Sequence, residues 1–416
     1  MSERIVPGEI KINGVHIINS RGKRVDVTLI VQQIDIYEDI TAPFVTGKLF
    51  ISDSLALGEI LPLFGEELLV LDLESPLTGF RLNKTFFIYK MEGRENASMK
   101  NVVYTLDFVS IEAFTDLNCK ISLKYEGKIS DIVEKIIISN PGLKSKKSIY
   151  IEQTVNRIVY VSNFWSPVQN IYYLTDKAVN GKETPSYMFF ENNEGFIFAS
   201  LDRLYQNPNY KTFTRHQLTR PPMGNMNLEE EHSKILDMST PVMFDYIDRL
   251  RHGYYGGLVY QYDVFGKTIN YRHFIAKDDL RGNLLNKNII ESQNQITFNP
   301  ESNIRTNIIH KNIFANSPIR TITHDLKRMA SLRRLQGITT NVQVFGLLDY
   351  SVGQTFNLVI YKDTSEYKES TDEQMIDEVL SGKYLATSVH HKITRKEYFT
   401  HIELSKNSFI KELKDN

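Results

Sequence analysis

An α+β fold, mainly β, is what the sequence predicts: two small antiparallel β-barrel domains plus two α+β domains. Alternating or β-branched runs occupy almost all of residues 1–115, and similar runs return between residues 338 and 404. Between them, apolar residues recur at helical spacing, each group bounded by a cap or a breaker. At 416 residues the chain is long enough for roughly two to four domains.

In the first barrel domain, residues 1–115, strands are expected at Glu9–Ile18, Val25–Tyr37, Phe44–Ile51, Glu67–Leu73, Leu82–Met91 and Val102–Ile111. Asp53 or Ser54 can cap one helical turn over Ser54–Leu61, which Pro62 stops. Strands at such short spacing point to a small barrel or sandwich. Residues 116–206 change character, because Ile129, Ile132, Val133, Ile136 and Ile137 recur at helical spacing before Ser-Asn-Pro-Gly ends the run. A second helix is punctuated more firmly. Ser166 caps it, Pro167 suits the first position, Gln169 completes a capping box, and Asn180–Gly181 closes the end. Strands Tyr187–Glu191 and Phe196–Ser200 then meet across Asn-Asn-Glu-Gly, giving an α+β domain.

Residues 207–239 carry weaker signals, including Pro221–Pro222 and the acidic run Glu229–Glu231, and read as a linker with one strand. A Thr-Pro helix start follows at Thr240–Pro241, with Phe244, Ile247 and Leu250 on one face and Gly253 after its end. Aromatic strands at Gly257–Phe265 and Thr268–Ile275 flank the short loop Gly266–Lys267, and the Asn-rich chain up to Asn316 reads as irregular. Residues 240–316 are thus expected as an inserted α+β domain. Ser317–Pro318 opens a third capped helix, turning Ile319, Ile322, Leu326, Met329, Ala330 and Leu335 inward and ending at Gly337. Its last turns carry Lys327, Arg328, Arg333 and Arg334, favourable beside the negative end of the helix dipole. Strands Ile338–Phe345, Thr355–Tyr361, Tyr384–Ile393 and Tyr398–Leu404 complete a second, discontinuous barrel domain from residues 207–239 and 317–416.

Composition excludes several classes. With 41% hydrophobic and 24% charged residues the chain is not globally disordered, and 49 Lys plus Arg against 50 Asp plus Glu leave no field to draw it onto nucleic acid or an anionic membrane. Cys119 is the one cysteine, which rules out an intrachain disulfide and multi-cysteine metal sites. The amino terminus lacks an apolar signal core, and the stretch Leu55–Leu73 is broken by Glu59, Pro62, Glu66 and Glu67, so neither export nor membrane insertion is expected.

One repeat bears on function. Pro62–Glu74 and Asp349–Tyr361 both run from a glycine and a carboxylate or carboxamide into an apolar strand; Gly65 answers Gly353, and Glu66 answers Gln354. Each is followed by a long strand, a turn, and a strand that opens on a tyrosine, Tyr104 or Tyr398. This is either an internal duplication or two barrel pieces that share turn chemistry. A duplication would let a homotrimer present quasi-equivalent units in a pseudo-sixfold ring, able to dock coaxially on a sixfold tube.

The segments Phe164–Asn180 with Ser186–Tyr205, Ser239–Phe265 and Ser381–Phe409 resemble the baseplate hub proteins of contractile-tailed, T-even-type bacteriophages, with more distant relatives in contractile injection systems. The resemblance implies a virion protein, a homotrimer assembled in the host cytoplasm, whose two tube-like barrels line an axial channel. It also implies a central spike protein below, a tail tube or tube-initiator protein above and baseplate wedge proteins around. A tape-measure protein or DNA would pass through without sequence-specific binding.

Catalytic, cofactor and metal residues are all expected to be absent. Within Ser381–Ser408, a loop at Arg395–Lys396 sets Ile393, Val389 and Thr387 against Tyr398, Ile402 and Leu404 on a core face. On the other face His390 falls opposite His401 and Ser388 opposite Glu403. Zinc accepts such ligands, but a zinc site needs three well-placed ones, and Lys392, Arg395 and Lys396 crowd this hairpin with positive charge, so it reads as a polar face. No Walker, His-Glu-x-x-His or Gly-x-Ser-x-Gly motif occurs. Glu229–Glu231 with His232 reads as a solvated acidic loop, Cys119 as a small apolar side chain, and the clusters Lys144–Lys147 and 327–334 as solvated or partner-facing. The expected role is structural, with a tail-associated cell-wall hydrolase as the alternative.

Overall fold

Pairing between two strand edges joins the β-rich ends of the chain into one sheet. The computed structural model describes residues 6–54, 63–98, 101–215, 228–251, 254–263, 267–276, 284–289, 304–309, 324–362 and 376–410. The turn expected at Ser54–Leu61 and the capped start at Ser317–Ile322 therefore lie mostly or wholly outside the described residues.

The amino-terminal part holds β1 (Lys11–Ile18), β2 (Arg24–Asp26), β3 (Val31–Asp39), β4 (Thr46–Asp53), β5 (Leu68–Glu74), β6 (Arg81–Ser98) and β7 (Asn101–Ser110). The single run expected at Val25–Tyr37 is split, because the Asp26 carboxylate accepts both the Thr28 amide (2.9 Å) and its hydroxyl (2.6 Å), which turns the chain between β2 and β3. Next come α1 (Ile111–Asn118), β8 (Lys124–Lys128), α2 (Ile129–Ile138), β9 (Ser148–Ile151), β10 (Arg157–Val161), α3 (Pro167–Lys177), β11 (Tyr187–Glu191), β12 (Gly195–Ser200) and α4 (Leu201–Tyr205). The Ser166–Gln169 capping box forms as expected. The helix stops at Lys177, short of Asn180–Gly181, where Ala178 turns extended and the Asn156 side chain donates to the Lys177 carbonyl at 2.6 Å and accepts the Val179 amide at 3.1 Å.

The rest holds β13 (Asn209–Arg215), α5 (Leu228–His232), β14 (Ile235–Val242), α6 (Tyr246–Arg251), β15 (Gly256–Asp263), β16 (Thr268–Ile275), β17 (Asn288–Ile289), β18 (Ile304–Ile309), α7 (His324–Leu335), β19 (Ile338–Phe345), β20 (Thr355–Ile360), β21 (Gly382–Thr394), β22 (Tyr398–Lys406) and β23 (Ser408–Phe409). Three expectations are corrected here. The linker with one strand contains two, β13 and β14. Thr240–Pro241 does not start a helix but lies in β14, held against β19; α6 begins later, where Asp245 accepts the Asp248 amide at 2.8 Å, and Phe244 and Ile247 are 77% and 63% exposed. The Asn-rich stretch includes β18, which pairs in parallel with β15.

The 13-stranded sheet runs β14-β19-β22-β21-β3-β4-β7-β6-β5-β1-β2, with β20 on the free part of β21 and β13 beside β20. No strand closes either half into a barrel among the described residues, which corrects the barrel expectation to two half-sheets fused at β21 and β3. Side-chain alternation places Ile34, Ile36, Leu49 and Leu106 in one core, and Val342, Ile402, Leu404 and Val389 in the other. A third core lies under α2, where Ile129, Ile132, Val133, Ile136 and Ile137 are all buried; each contributes roughly 1.5–3 kcal/mol of burial. A fourth packs Leu326 and Ala330 of α7 on Tyr254, Val259 and Phe274.

The halves repeat one another rung by rung. The order β3-β4-β7-β6-β5 in the first matches β14-β19-β22-β21-β20 in the second, in both pairing and chain order. Each half has a bulge at the same place on its outer pair: Val31 faces Ile51 and Gln33 faces Phe50, just as Ile235 faces Val344 and Asp237 faces Gln343. A second bulge recurs on the long hairpin, at Tyr89 between Ile88 and Lys90 and at Thr387 between Ala386 and Ser388. That second bulge is why Ala386, not Thr387, faces Leu404. A bulge is a one-residue insertion that shifts all later pairings, so two at matching rungs demand a common plan. The halves part at the outermost strand, since β1 is antiparallel to β5 whereas β13 is parallel to β20.

The repeat seen in sequence is offset by one residue. Leu68 and Thr355 open corresponding strands, which sets Glu67, not Glu66, against Gln354. Their side chains do the same job: Glu67 accepts the amide of Phe64 and Gln354 that of Ser351, both three residues upstream. Gly65 therefore does not answer Gly353 but falls one rung away, against Val352, although both glycines take positive φ, 87° and 85°. The tyrosines do not correspond, because the counterpart of Tyr398 is Val102.

Candidate functional site: the seam between the sheet halves

The seam is the antiparallel pairing of Gln33–Asp39 with Ser388–Thr394. Period-two alternation divides its side chains between an open polar face and a buried one. On the open face the Tyr37 ring stacks on His390 at 4.4 Å between centroids, and His390 stacks on His401 at 5.4 Å. The Nε2 of His390 meets the Asp35 carboxylate at 3.0 Å, and Asp35 also accepts the Gln33 amide group at 2.8 Å. Burial, with His390 and Lys392 nearby, pushes His401 below its ordinary pKa. The expected registers, His390 opposite His401, Ser388 opposite Glu403 and Ile393 opposite Tyr398, are all found. Glu403 is engaged by the Thr387 hydroxyl at 2.7 Å, so carboxylate and imidazoles do not converge. Among the described residues no group of three or more His, Cys, Asp or Glu is placed to hold a metal ion.

The buried face is tighter. The Glu38 carboxylate accepts the Ser351 hydroxyl at 2.6 Å and the Val352 amide at 3.0 Å, which ties β3 to the turn before β20. Burial pushes Glu38 up to about 7 despite those donors. His391 donates from Nε2 to the Tyr350 carbonyl (3.1 Å) and accepts the Tyr398 hydroxyl at Nδ1 (2.7 Å). Both ring nitrogens are thereby committed to a neutral imidazole, and burial pushes it down to about 3.

A charged network continues from this face towards the α+β part. Lys147 bridges Glu112 and Glu191, each at 2.6 Å, while Glu191 accepts the Val45 amide at 3.1 Å. Half-buried Lys84 donates to the Asn192 carbonyl at 3.1 Å, and burial holds it below the ordinary lysine range. Lys147 is thus an internal tie and not a solvated charge. Arg328 is another, donating to the Pro185 and Tyr187 carbonyls and pairing with Asp176 at 2.9 Å. His232 sits in α5 and is buried, which corrects the solvated-loop reading, and burial pushes it down to about 4. Cys119 packs at the margin of the third core.

The sequence reading missed Glu38, Lys84 and Glu191, although a signal was there. Each falls on the apolar phase of its strand, after Ile34 and Ile36, between Leu82 and Phe86, and after Tyr187 and Phe189. A charge in phase with a core face marks a buried polar tie.

No family model matches the chain, and no curated protein matches it in sequence. Solved structures do match in shape. A tail protein from Neisseria meningitidis MC58 superposes with a TM-score of 0.56 at 12% identity, covering 95% of this chain and 96% of that one. The 43 kDa tail protein of prophage MuSo2 from Shewanella oneidensis gives 0.55 at 9% identity, covering 95% and 98%. The chain has the fold of a phage tail protein. An Escherichia coli type VI secretion component, described as similar to bacteriophage T4 tail proteins gp27 and gp5, aligns at a TM-score of 0.42 and 10% identity over 98% of this chain and 79% of that one. The match to the two tail proteins spans nearly the whole length on both sides, so the α+β parts belong to the shared fold as well as the sheet.

Proposed function

We propose that the chain is the structural baseplate hub of a contractile phage tail. In this reading it is a homotrimer forming a pseudo-sixfold ring around an axial channel that joins the tail tube to the central spike. The observation that carries the reading is the pair of half-sheets with matching strand order and matching bulges, because three copies of a twofold repeat give six equivalent wall segments. The open sheet face is the natural channel wall. It carries Lys48, Lys392, Asn341, Gln343 and Glu403, with Asp107 buried beside Lys48, a mixed polar lining without the basic excess that would hold DNA. Four units are proposed, 1–115, 116–206, 207–239 with 317–416, and the inserted 240–316, with no catalytic, cofactor or metal residue. Wedge proteins would surround the ring, with spike and tube proteins at its two ends.

Mass measurement by size exclusion, with zymography on cell-wall material, tests this. The hub reading expects an inert species at three times the 48.1 kDa chain mass. Clearing of cell wall by a monomer would replace it with the hydrolase reading. A cryo-EM map of the trimer must show the six half-sheets related by about a sixth of a turn.

A further inference from the structure

The seam within one chain has a counterpart whose two edges are unpaired among the described residues. In the seam, the outer edge of β21 beyond its contact with β20 pairs with the edge strand β3. By the repeat, Ser388–Ile393 of β21 corresponds to Lys90–Asn96 of β6, and Asp35–Tyr37 of β3 to Ser239–Val242 of β14. Among the described residues the sheet order leaves both edges open, since β5 pairs β6 only as far as Phe87 and β14 pairs only β19. Six strands of the sheet stand between β14 and β6, and the two do not pair within one copy among the described residues.

We propose that Lys90–Asn96 of one copy pairs antiparallel with Ser239–Met243 of a second copy, in the register of the seam. This rests on the trimeric reading and specifies its interface. Two observations favour a second copy as occupant. First, each edge carries one residue more than its seam counterpart, and at the same rung: β6 has a bulge between Glu92 and Glu95, and β14 one between Ser239 and Val242. Transferred to the seam register, Glu92 faces Val242 and Glu95 faces Ser239, so the two insertions lie opposite one another and the ladder stays in step. Second, the seam pair Val389 and Glu38 is buried, whereas its counterparts Met91 and Met243 are 39% and 42% exposed in the single chain and would face each other across the junction. Such a head-to-tail contact uses different surfaces on the two copies and closes into a ring when the rotation per copy is a third of a turn.

The test uses the full chain carrying Cys119→Ser, with Glu92→Cys and Val242→Cys added together. These positions correspond to His390 and Tyr37, which lie directly opposite one another across the seam, where antiparallel partners are about 4.5–5.5 Å apart at Cα and so within disulfide reach. Mild oxidation should link copies into a species of three times the chain mass on non-reducing gels. Either cysteine alone should not do so, nor should Glu92→Cys with Leu236→Cys, which is out of register. A trimer by mass that fails to link, or links equally well with Leu236→Cys, overturns this junction and leaves the trimeric reading standing. A monomer by mass overturns both.

Discussion

The Glu38 carboxylate of one half-sheet accepts the Ser351 hydroxyl of the other at 2.6 Å, and both residues are buried. Together with the Val352 amide this contact closes the core side of the seam. Replacing Glu38 by Ala strips an acceptor from two buried donors and should destabilise the chain by about 1–3 kcal/mol in urea denaturation. Glu38→Gln keeps an acceptor and should cost less; equal losses would show that the contact does not hold the seam.

The same residue sets an alkaline limit. Its carboxyl is pushed from 4.5 up to about 7 in the folded chain, so its contribution is complete below about 4.5 and is lost as the pH rises through 7. Denaturation midpoints should fall between pH 5 and pH 8, and Glu38→Gln should flatten that slope. An unchanged slope in the variant would place the titration elsewhere.

His391 sets the opposite limit. Burial pushes it from 6.5 down to about 3, so its contribution is present above 6.5 and is lost as the pH falls towards 3. His391→Phe should show a shallower loss of stability in acid. At neutral pH it should be less stable by roughly 1–3 kcal/mol, because the Tyr350 carbonyl and Tyr398 hydroxyl lose their partner.

Gly47 lies where β4 passes beneath the Phe108 ring. A methyl group there would come within 2.2 Å of the ring and 2.4 Å of the Asp35 carbonyl, whereas one at Gly181 meets nothing within 4 Å. Gly47→Ala should cost about 1–3 kcal/mol in thermal or urea unfolding, and Gly181→Ala should stay within about 0.5 kcal/mol.

At α3 the Ser166 hydroxyl accepts the Gln169 amide and donates to Asp116 at 3.1 Å. Ser166→Ala should lower stability by about 1 kcal/mol, while Ser166→Asp should retain the cap but bring a second carboxylate against Asp116. Thermal melts of the two variants separate capping from that repulsion.

The capping box and the terminal hairpin were legible because both depend on contacts within a few residues. Arg395–Lys396 as a tight loop sets Ile393 against Tyr398 and His390 against His401, and nothing distant disturbs that register until the bulge at Thr387. Thr240–Pro241 was misread for the complementary reason. Its local signal is that of a helix start, yet β19, a hundred residues on, supplies the ladder that extends it. Glu38 and Ser351 are 313 positions apart, and no local pattern joins them.

By itself, then, the sequence determined most of the strands and helices, which face of each is apolar, and that glycine-led turns recur in the two halves, since these follow from side-chain period and short-range hydrogen bonding. Thr240–Pro241 and Ile304–Ile309, by contrast, are strands only through distant partners. Only the tertiary structure decided that the halves share one sheet, that their bulges coincide, and that β13 lies parallel to β20 where β1 lies antiparallel to β5. The reason is that edge pairing is made by backbone N–H and C=O groups, which every residue except proline carries alike, so the choice of partner edge is written in the assembled shape and not in the identity of the side chains.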